Sequence, residues 1–162
     1  MVVLSAMSVV VIAGCSRDEV TTVAVTESMK ATALGEIASG TMPDVLNWEM
    51  EATDDGIRYV VLSPGEGRTA WYDDKVTVHY YLWLTDGTLV DSSRPNGVVT
   101  PFAFTVGEGR VIQGWEKIIQ VMSRESEIVA IVPWHLAYGR SGKAPIPPKA
   151  DLVVYIRLIR IQ

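Results

Sequence analysis

Few side chains in this sequence could do covalent chemistry. Cys15 is the single cysteine, and His79 and His135 are the only histidines. One cysteine excludes an intrachain disulfide and any zinc site built on several cysteines. The histidines lie far apart in the chain and neither sits in a metal-ligand motif, so no metal is expected. A Cys–His nucleophilic pair is not expected, because Cys15 sits at the leader junction. Val106-Gly107-Glu108-Gly109 is only superficially a phosphate loop, since no Lys-Ser/Thr pair follows it; it reads as a turn. What remains is aromatic, namely Tyr80, Phe102, Phe104, Trp115 and Tyr138, with Asp91 as an acid among them. Spacing alone makes Trp115 a core residue on a helical stripe, and Phe102 and Phe104 core residues on one strand face. Tyr80 and Tyr138 read as amphipathic rim residues, and Asp91 before Ser92-Ser93 as a turn cap.

The frame that must hold these residues is one domain of ordinary size plus an extra segment, in 162 residues. Hydrophobic residues make up 48% and charged residues 20%, which excludes wholesale disorder. A net charge of −5 argues against general nucleic-acid binding, which needs a basic face. No apolar run reaches the roughly 18–20 residues that span a bilayer. The imbalance is local. Ser16 to Arg58 holds nine acidic and three basic residues, a net of −6, and the remainder holds ten and eleven, a net of +1. Residues 15–55 are therefore expected to form an acidic, largely flexible tether. A short helix through Glu27–Ile37 is possible within it, and Trp48 with Met50 could pack on the domain.

Residues 1–14 (MVVLSAMSVVVIAG) carry no charge and have the length of a signal-peptide core ending in small residues. Ile12-Ala13-Gly14-Cys15 resembles the bacterial lipobox, an aliphatic residue and two small ones before a cysteine that is lipidated. That resemblance implies a multiply acylated Cys15, and several acyl chains hold a protein on a membrane firmly. The departure is that no Lys or Arg precedes the apolar run. Ser16 after Cys15 points, by analogy with sorting rules, to a periplasm-facing lipoprotein of the outer membrane.

Within 56–162 the pattern is mostly strands. Gly56–Ser63 alternates and is β-branched, stopped by Pro64-Gly65-Glu66-Gly67. In Lys75–Leu84, Val76, Val78, Tyr80 and Leu82 share one face, with Thr77, His79, Tyr81 and Trp83 on the other. Asp86-Gly87 signals a two-residue type I′ hairpin returning through Thr88–Ser92. Thr100–Val106, Ser126–Val132 and Leu152–Ile161 are further strands, and Ala137–Lys149 is a loop. Ile112–Met122 is the good helix of the domain, with Ile112, Trp115, Ile118, Ile119 and Met122 on one stripe. The expected fold is α+β, an antiparallel sheet of about five strands on one short helix.

Val78-His79-Tyr80, Asp86-Gly87, Val90-Asp91-Ser92-Ser93, Pro101-Phe102-Ala103-Phe104, Val111-Ile112-Gln113-Gly114-Trp115, Ala137-Tyr138-Gly139 and Ile146-Pro147-Pro148 occur in that order. Together they closely resemble the FKBP family of peptidyl-prolyl cis-trans isomerases, from Gly56 to Gln162. The resemblance implies a half-open sheet around the helix and a pocket between them. It implies Trp115 as the pocket floor, Tyr80, Phe102, Val111, Ile112 and Tyr138 as walls, Asp91 at the rim, and Ile146 in a flap over the site. It makes Asp91 and Tyr138 the candidate catalytic residues and the others substrate-binding. Proline-containing polypeptides are the implied substrates, with no cofactor, no nucleic acid and a monomeric chain. Family members commonly carry aromatics where this chain has Val90 and Val154, so a wider pocket with weaker macrolide binding is expected, and the flap is one residue shorter. The expected function is prolyl isomerisation in exported proteins, anchored through Cys15. The rivals are a proline-binding chaperone module with little turnover and a purely structural envelope protein.

Overall fold

Two stretches of the sequence, EIVAIV and LVVYIRLIRI, are apolar at almost every position instead of at alternate ones, which calls for burial on both faces. The computed structural model, which describes residues 22–94 and 98–162, places them at the centre of a sheet. The leader, Cys15 and Ser16 lie outside the described residues.

The strands are β1 (Glu51–Ala52), β2 (Arg58–Ser63), β3 (Glu66–Thr69), β4 (Lys75–Leu84), β5 (Leu89–Ser92), β6 (Phe102–Thr105), β7 (Ser123–Arg124), β8 (Glu127–Val132) and β9 (Leu152–Ile161). Helix α1 spans Glu27–Ala38 and α2 spans Gln113–Ile119. The seven-stranded sheet runs β1-β2-β8-β9-β4-β5. Strand β6 pairs with the first half of β4, on residues 75–78, and β5 with its second half, from Tyr81. Every pairing between these strands is antiparallel, so the expected α+β class holds, although with more strands than about five. The additional pieces are two-residue β1 and the small β3–β7 sheet; the Pro-Gly punctuation hid β3, and β7 is only two residues long.

One face of the sheet is packed by α2. Val76, Val78, Leu82, Ile128, Ala130, Val132, Val154 and Ile156 meet Trp115, Ile118 and Ile119 in one buried cluster. Strand alternation therefore sorts β4 as its sequence requires, with Tyr81 and Trp83 on the far face. The expected helix through Met122 is shorter. The amides of Val121 and Met122 turn back onto the carbonyls of Ile118 and Ile119, at 3.2 and 3.0 Å, and the Met122 carbonyl accepts from Ala70 N. Tight i→i+3 bonds end the helix there, and pairing of β7 with β3 takes over the chain.

The far face is covered by the segment expected to be a flexible tether. Ala33, Ile37, Val45 and Trp48 are buried against Leu62, Tyr81, Trp83, Val129, Ile131, Val153 and Tyr155. The Thr26 hydroxyl caps α1 by accepting from Met29 N, and Trp83 Nε1 donates to Gly40 O at 3.2 Å. Residues 27–50 are thus a packed layer and not a spacer. The physical reason is the face carried by Tyr81, Trp83, Val129, Ile131 and Val153, too apolar to leave in water. The possible helix at Glu27–Ile37 and the packing of Trp48 and Met50 are both present.

The turn after β4 also differs from the expected two-residue form. Leu84 N donates to Thr88 O, and Gly87 N to Leu84 O, leaving a three-residue loop. Only Gly87 takes positive φ, at 89°, while the Asp86 carboxylate accepts from Thr88 N. A type I turn closed by a left-handed glycine satisfies the Asp-Gly signature as well as a type I′ turn does.

Candidate active site

The site begins at the crossing of β4, β6 and α2. Tyr80 faces the α2 side of β4, Phe102 opens β6 opposite Val78, and Trp115 sits in the first turn of α2. Their rings meet edge to face, Tyr80 to Trp115 at 4.9 Å and Phe102 to Trp115 at 6.5 Å between centroids. Above them lies an open hollow of about 370 Å³, lined by Tyr80, Leu82, Asp91, Phe102, Arg110, Val111, Ile112, Trp115, Tyr138 and Lys143. Trp115 is only 6% exposed, and its Nε1 is fully covered without a hydrogen-bond partner. The indole therefore meets the hollow through carbon, and the floor is apolar.

Helix α2 comes close to the sheet because residue 114 is glycine. A Cβ there would lie 2.3 Å from Val132 Cγ1 on β8. The loop before α2 is held by the helix itself. The Glu116 carboxylate accepts from Gly107 N at 2.7 Å and from Gly109 N at 3.2 Å, which fixes the approach to Arg110, Val111 and Ile112. The amides that gave this loop its likeness to a phosphate cradle are thus taken by a protein carboxylate.

Asp91 stands at the rim on β5. Its Oδ2 accepts from the Tyr80 hydroxyl at 2.8 Å and its Oδ1 from Ser92 N at 2.8 Å, so it ties a wall residue and also stiffens its own turn. Two residues on, Ser93 is buried; its hydroxyl accepts from Tyr80 N at 3.0 Å and lies 3.2 Å from His79 Nδ1. His79 accordingly belongs to the far face, where burial, then Arg94 and Arg157, lower its pKa. Burial, reinforced by the bond to Asp91 and its charge, raises the Tyr80 pKa well above the usual phenol value. Burial first and the Asp91 charge second also raise that of Tyr138. Both phenols keep their protons at neutral pH and remain donors.

Tyr138 follows a 3₁₀ turn at Trp134–Leu136, where Trp134 N donates to Asp151 Oδ1 at 2.8 Å. The flap beyond is a tight hairpin. Lys143 N donates to Ile146 O at 3.0 Å and Ile146 N to Lys143 O at 2.7 Å. Gly142 is required before it, having φ of +67° and room for no Cβ, which would fall 2.6 Å from Ile146 O.

Of the eight residues expected in the site, Tyr80, Asp91, Phe102, Val111, Ile112, Trp115 and Tyr138 border one hollow. Ile146 does not: it is 5% exposed and packs into the core beneath the flap, because the hairpin turns its side chain inward. Leu82, Arg110 and Lys143 border the hollow and were missed. Alternation along β4 put Leu82 on the right face, but nothing local marks the two cations. Val90 and Val154 are absent from the lining. Val154 is a buried cross-strand partner of Leu82, so its effect on the hollow passes through Leu82.

The model of the family described as FKBP-type peptidyl-prolyl cis-trans isomerase matches residues 66–159. The chain is 38% identical over 109 residues to peptidyl-prolyl cis-trans isomerase Fkbp12 of Drosophila melanogaster, covering 66% of this chain and 99% of that one. It is 37% identical over 113 residues to the FKBP-type 22 kDa peptidyl-prolyl cis-trans isomerase of Escherichia coli, covering 69% and 53%. The crystal structure of FkpA from Escherichia coli superimposes with a TM-score of 0.66 at 27% identity, covering 83% of this chain and 63% of that one. The chain thus spans nearly all of the insect relative and roughly half to two thirds of the two bacterial ones.

Proposed function

Because this chain belongs to the FKBP-type peptidyl-prolyl cis-trans isomerase family, we propose that the hollow over Trp115 binds proline and accelerates rotation of the preceding peptide bond in exported polypeptides. The observation that carries this reading is the carbon-lined floor and aromatic wall around an open volume of about 370 Å³.

An X–Pro bond rotates against a barrier of about 20 kcal/mol set by amide resonance. The twisted transition state loses that resonance and much of the charge separation that water solvates in the planar amide. A cavity that replaces water with Trp115, Phe102, Val111 and Ile112 favours the twisted form over the planar one. The proline ring packs against Trp115. Tyr138, a protonated phenol, supplies the hydroxyl that holds a substrate carbonyl at the rim. Asp91 keeps Tyr80 oriented through its 2.8 Å bond and presents negative charge to polarised N–H or C–H groups of the substrate. No nucleophile or titrating base takes part in this scheme.

A protease-coupled assay on an X-Pro peptide tests the scheme. Acceleration well above background is expected with the wild type, and a loss of about tenfold or more in kcat/KM with Trp115→Leu or Asp91→Ala, on the scale of one positioned interaction. No acceleration at micromolar protein would leave proline binding with little turnover as the surviving alternative.

The setting is proposed from sequence. The uncharged leader and Ile12-Ala13-Gly14-Cys15 support an envelope lipoprotein facing the periplasm. Cys15→Ser is expected to release the protein from the membrane fraction, and continued partitioning into membranes would refute the anchor. A single peak at monomer mass in light scattering is expected for the soluble domain.

A further inference from the structure

We propose that Arg110 and Lys143 make the mouth of this hollow prefer peptides with an acidic side chain next to the proline, an inference that rests on the isomerase reading. Both residues are exposed and both line the hollow. Neither forms an ion pair within 4 Å among the described residues. Asp91, the carboxylate in the lining, accepts from Tyr80 and Ser92, and Glu116 behind the Arg110 loop accepts from Gly107 and Gly109, while the exposed Glu108 lies outside the lining.

The lining therefore carries two cations and one carboxylate, in a chain whose overall charge is −5. A general basic surface does not explain that placement. The backbones carrying both side chains are also fixed. Arg110 leaves the loop that Glu116 ties down, directly before Val111 and Ile112. Lys143 opens the flap hairpin after Gly142, with its Nζ 5.9 Å from the centre of the Tyr138 ring. A proline seated over Trp115 brings its sequence neighbours to this rim, where a carboxylate gains and an ammonium loses. Water screens exposed charges, so each contact is modest, but the apolar wall below focuses the field and two cations act together.

Peptides identical except for Glu, Gln or Lys immediately before proline, and a second set with the same residues immediately after it, test this. The full chain is used, with isomerisation read by NMR exchange so that no coupling protease adds its own preference. On at least one side the wild type is expected to show kcat/KM for Glu about fivefold above Gln, with Lys below Gln, in low salt. The ratio should fall towards one at 0.5 M salt, roughly a few ångströms of Debye length. In the Arg110→Gln, Lys143→Gln double variant the Glu-to-Gln ratio should also approach one. Equal turnover of Glu and Gln peptides by the wild type, or a ratio that survives the double substitution, overturns the inference while leaving isomerisation intact. Absence of turnover with every peptide overturns the isomerase reading and this preference with it.

Discussion

Gly114 joins the stability of the fold to the shape of the site, and replacing it with alanine sets two effects of opposite sign against each other. Within a helix, alanine is favoured over glycine by up to about 1 kcal/mol, less in the first turn, where residue 114 lies. Against this, the new Cβ would sit 2.3 Å from Val132 Cγ1, 3.2 Å from Cγ2 and 3.3 Å from Cβ. Val132 is fully buried on β8, and a β-branched side chain there has almost no rotamer freedom with which to move away. Overpacking of this kind costs about 1–3 kcal/mol, so sterics win and Gly114→Ala should be destabilised by about 1–2 kcal/mol. For a chain of this size that lowers Tm by about 3–6 °C. Val132→Ala alone should cost about 2 kcal/mol, from two lost methyl groups and the space they leave. Together the substitutions should cost about 1–2 kcal/mol less than their sum, because the methyl at 114 fills the space vacated at 132. Urea unfolding of the four proteins measures this. The single Gly114→Ala variant should also lose activity on an X-Pro peptide, since α2 carries Trp115 and can relieve the clash only by moving off β8. A stabilised Gly114→Ala variant, or costs that add to within about 0.5 kcal/mol, would refute the close approach of α2 to β8.

Other perturbations separate the parts of the molecule. Tyr80→Phe removes the hydroxyl that donates to Asp91 but leaves that carboxylate in water, so stability should fall by less than about 1 kcal/mol while kcat/KM drops several-fold, as a coupled assay and urea melts would show. Trp48→Ala uncovers the far face of the sheet and should cost about 3–5 kcal/mol in urea unfolding, and because it unclamps β4 behind Tyr80 the fraction that remains folded should show a lower kcat/KM. The Arg68 guanidinium, with help from Trp71 N, holds the Asp74 carboxyl down at about 2, below the ordinary 3.8. A carboxyl depressed in the folded state contributes stability that is complete above its unfolded pKa and lost as pH falls towards 2. Asp74→Asn should therefore be less stable at pH 6 and show a shallower fall in Tm between pH 5 and pH 2.

Strands β4, β8 and β9 could be read from the sequence because their constraint is local. Alternation in KVTVHYYLWL assigns Tyr80 and Leu82 to one face and Tyr81 and Trp83 to the other without knowledge of what covers them. The stripe from Ile112 to Met122 identified α2 for the same reason, but its end could not be read, because the bond from Ala70 to Met122 joins residues far apart in sequence. The cover on the far face was hidden in a similar way. The acidic stretch before Arg58 suggests solvation when averaged, whereas its few apolar residues, Ala33, Ile37, Val45 and Trp48, converge only once α1 and the following turn are folded against the sheet. Ile146 was misplaced because a motif fixes a position in the chain and leaves open which way a hairpin turns its side chain.

The far-face layer also bears on how the hollow can work. A site that discriminates between twisted and planar amides by excluding water must keep its shape when empty, since collapse would fill the volume meant for proline. Tyr80 and Leu82 belong to one face of β4 and Tyr81 and Trp83 to the other, so any flexing of this strand moves the walls of the hollow. On one side β4 is held along its length by β9, and on the other by β6 and β5 in succession. Trp48, Ile37 and the bond from Trp83 to Gly40 clamp it from behind. Residues that never approach the substrate thereby stiffen the strand that supports Tyr80 at the wall. The acidic segment is in this sense part of the domain's mechanical frame, and its composition follows from having one apolar side to bury and one side left in water.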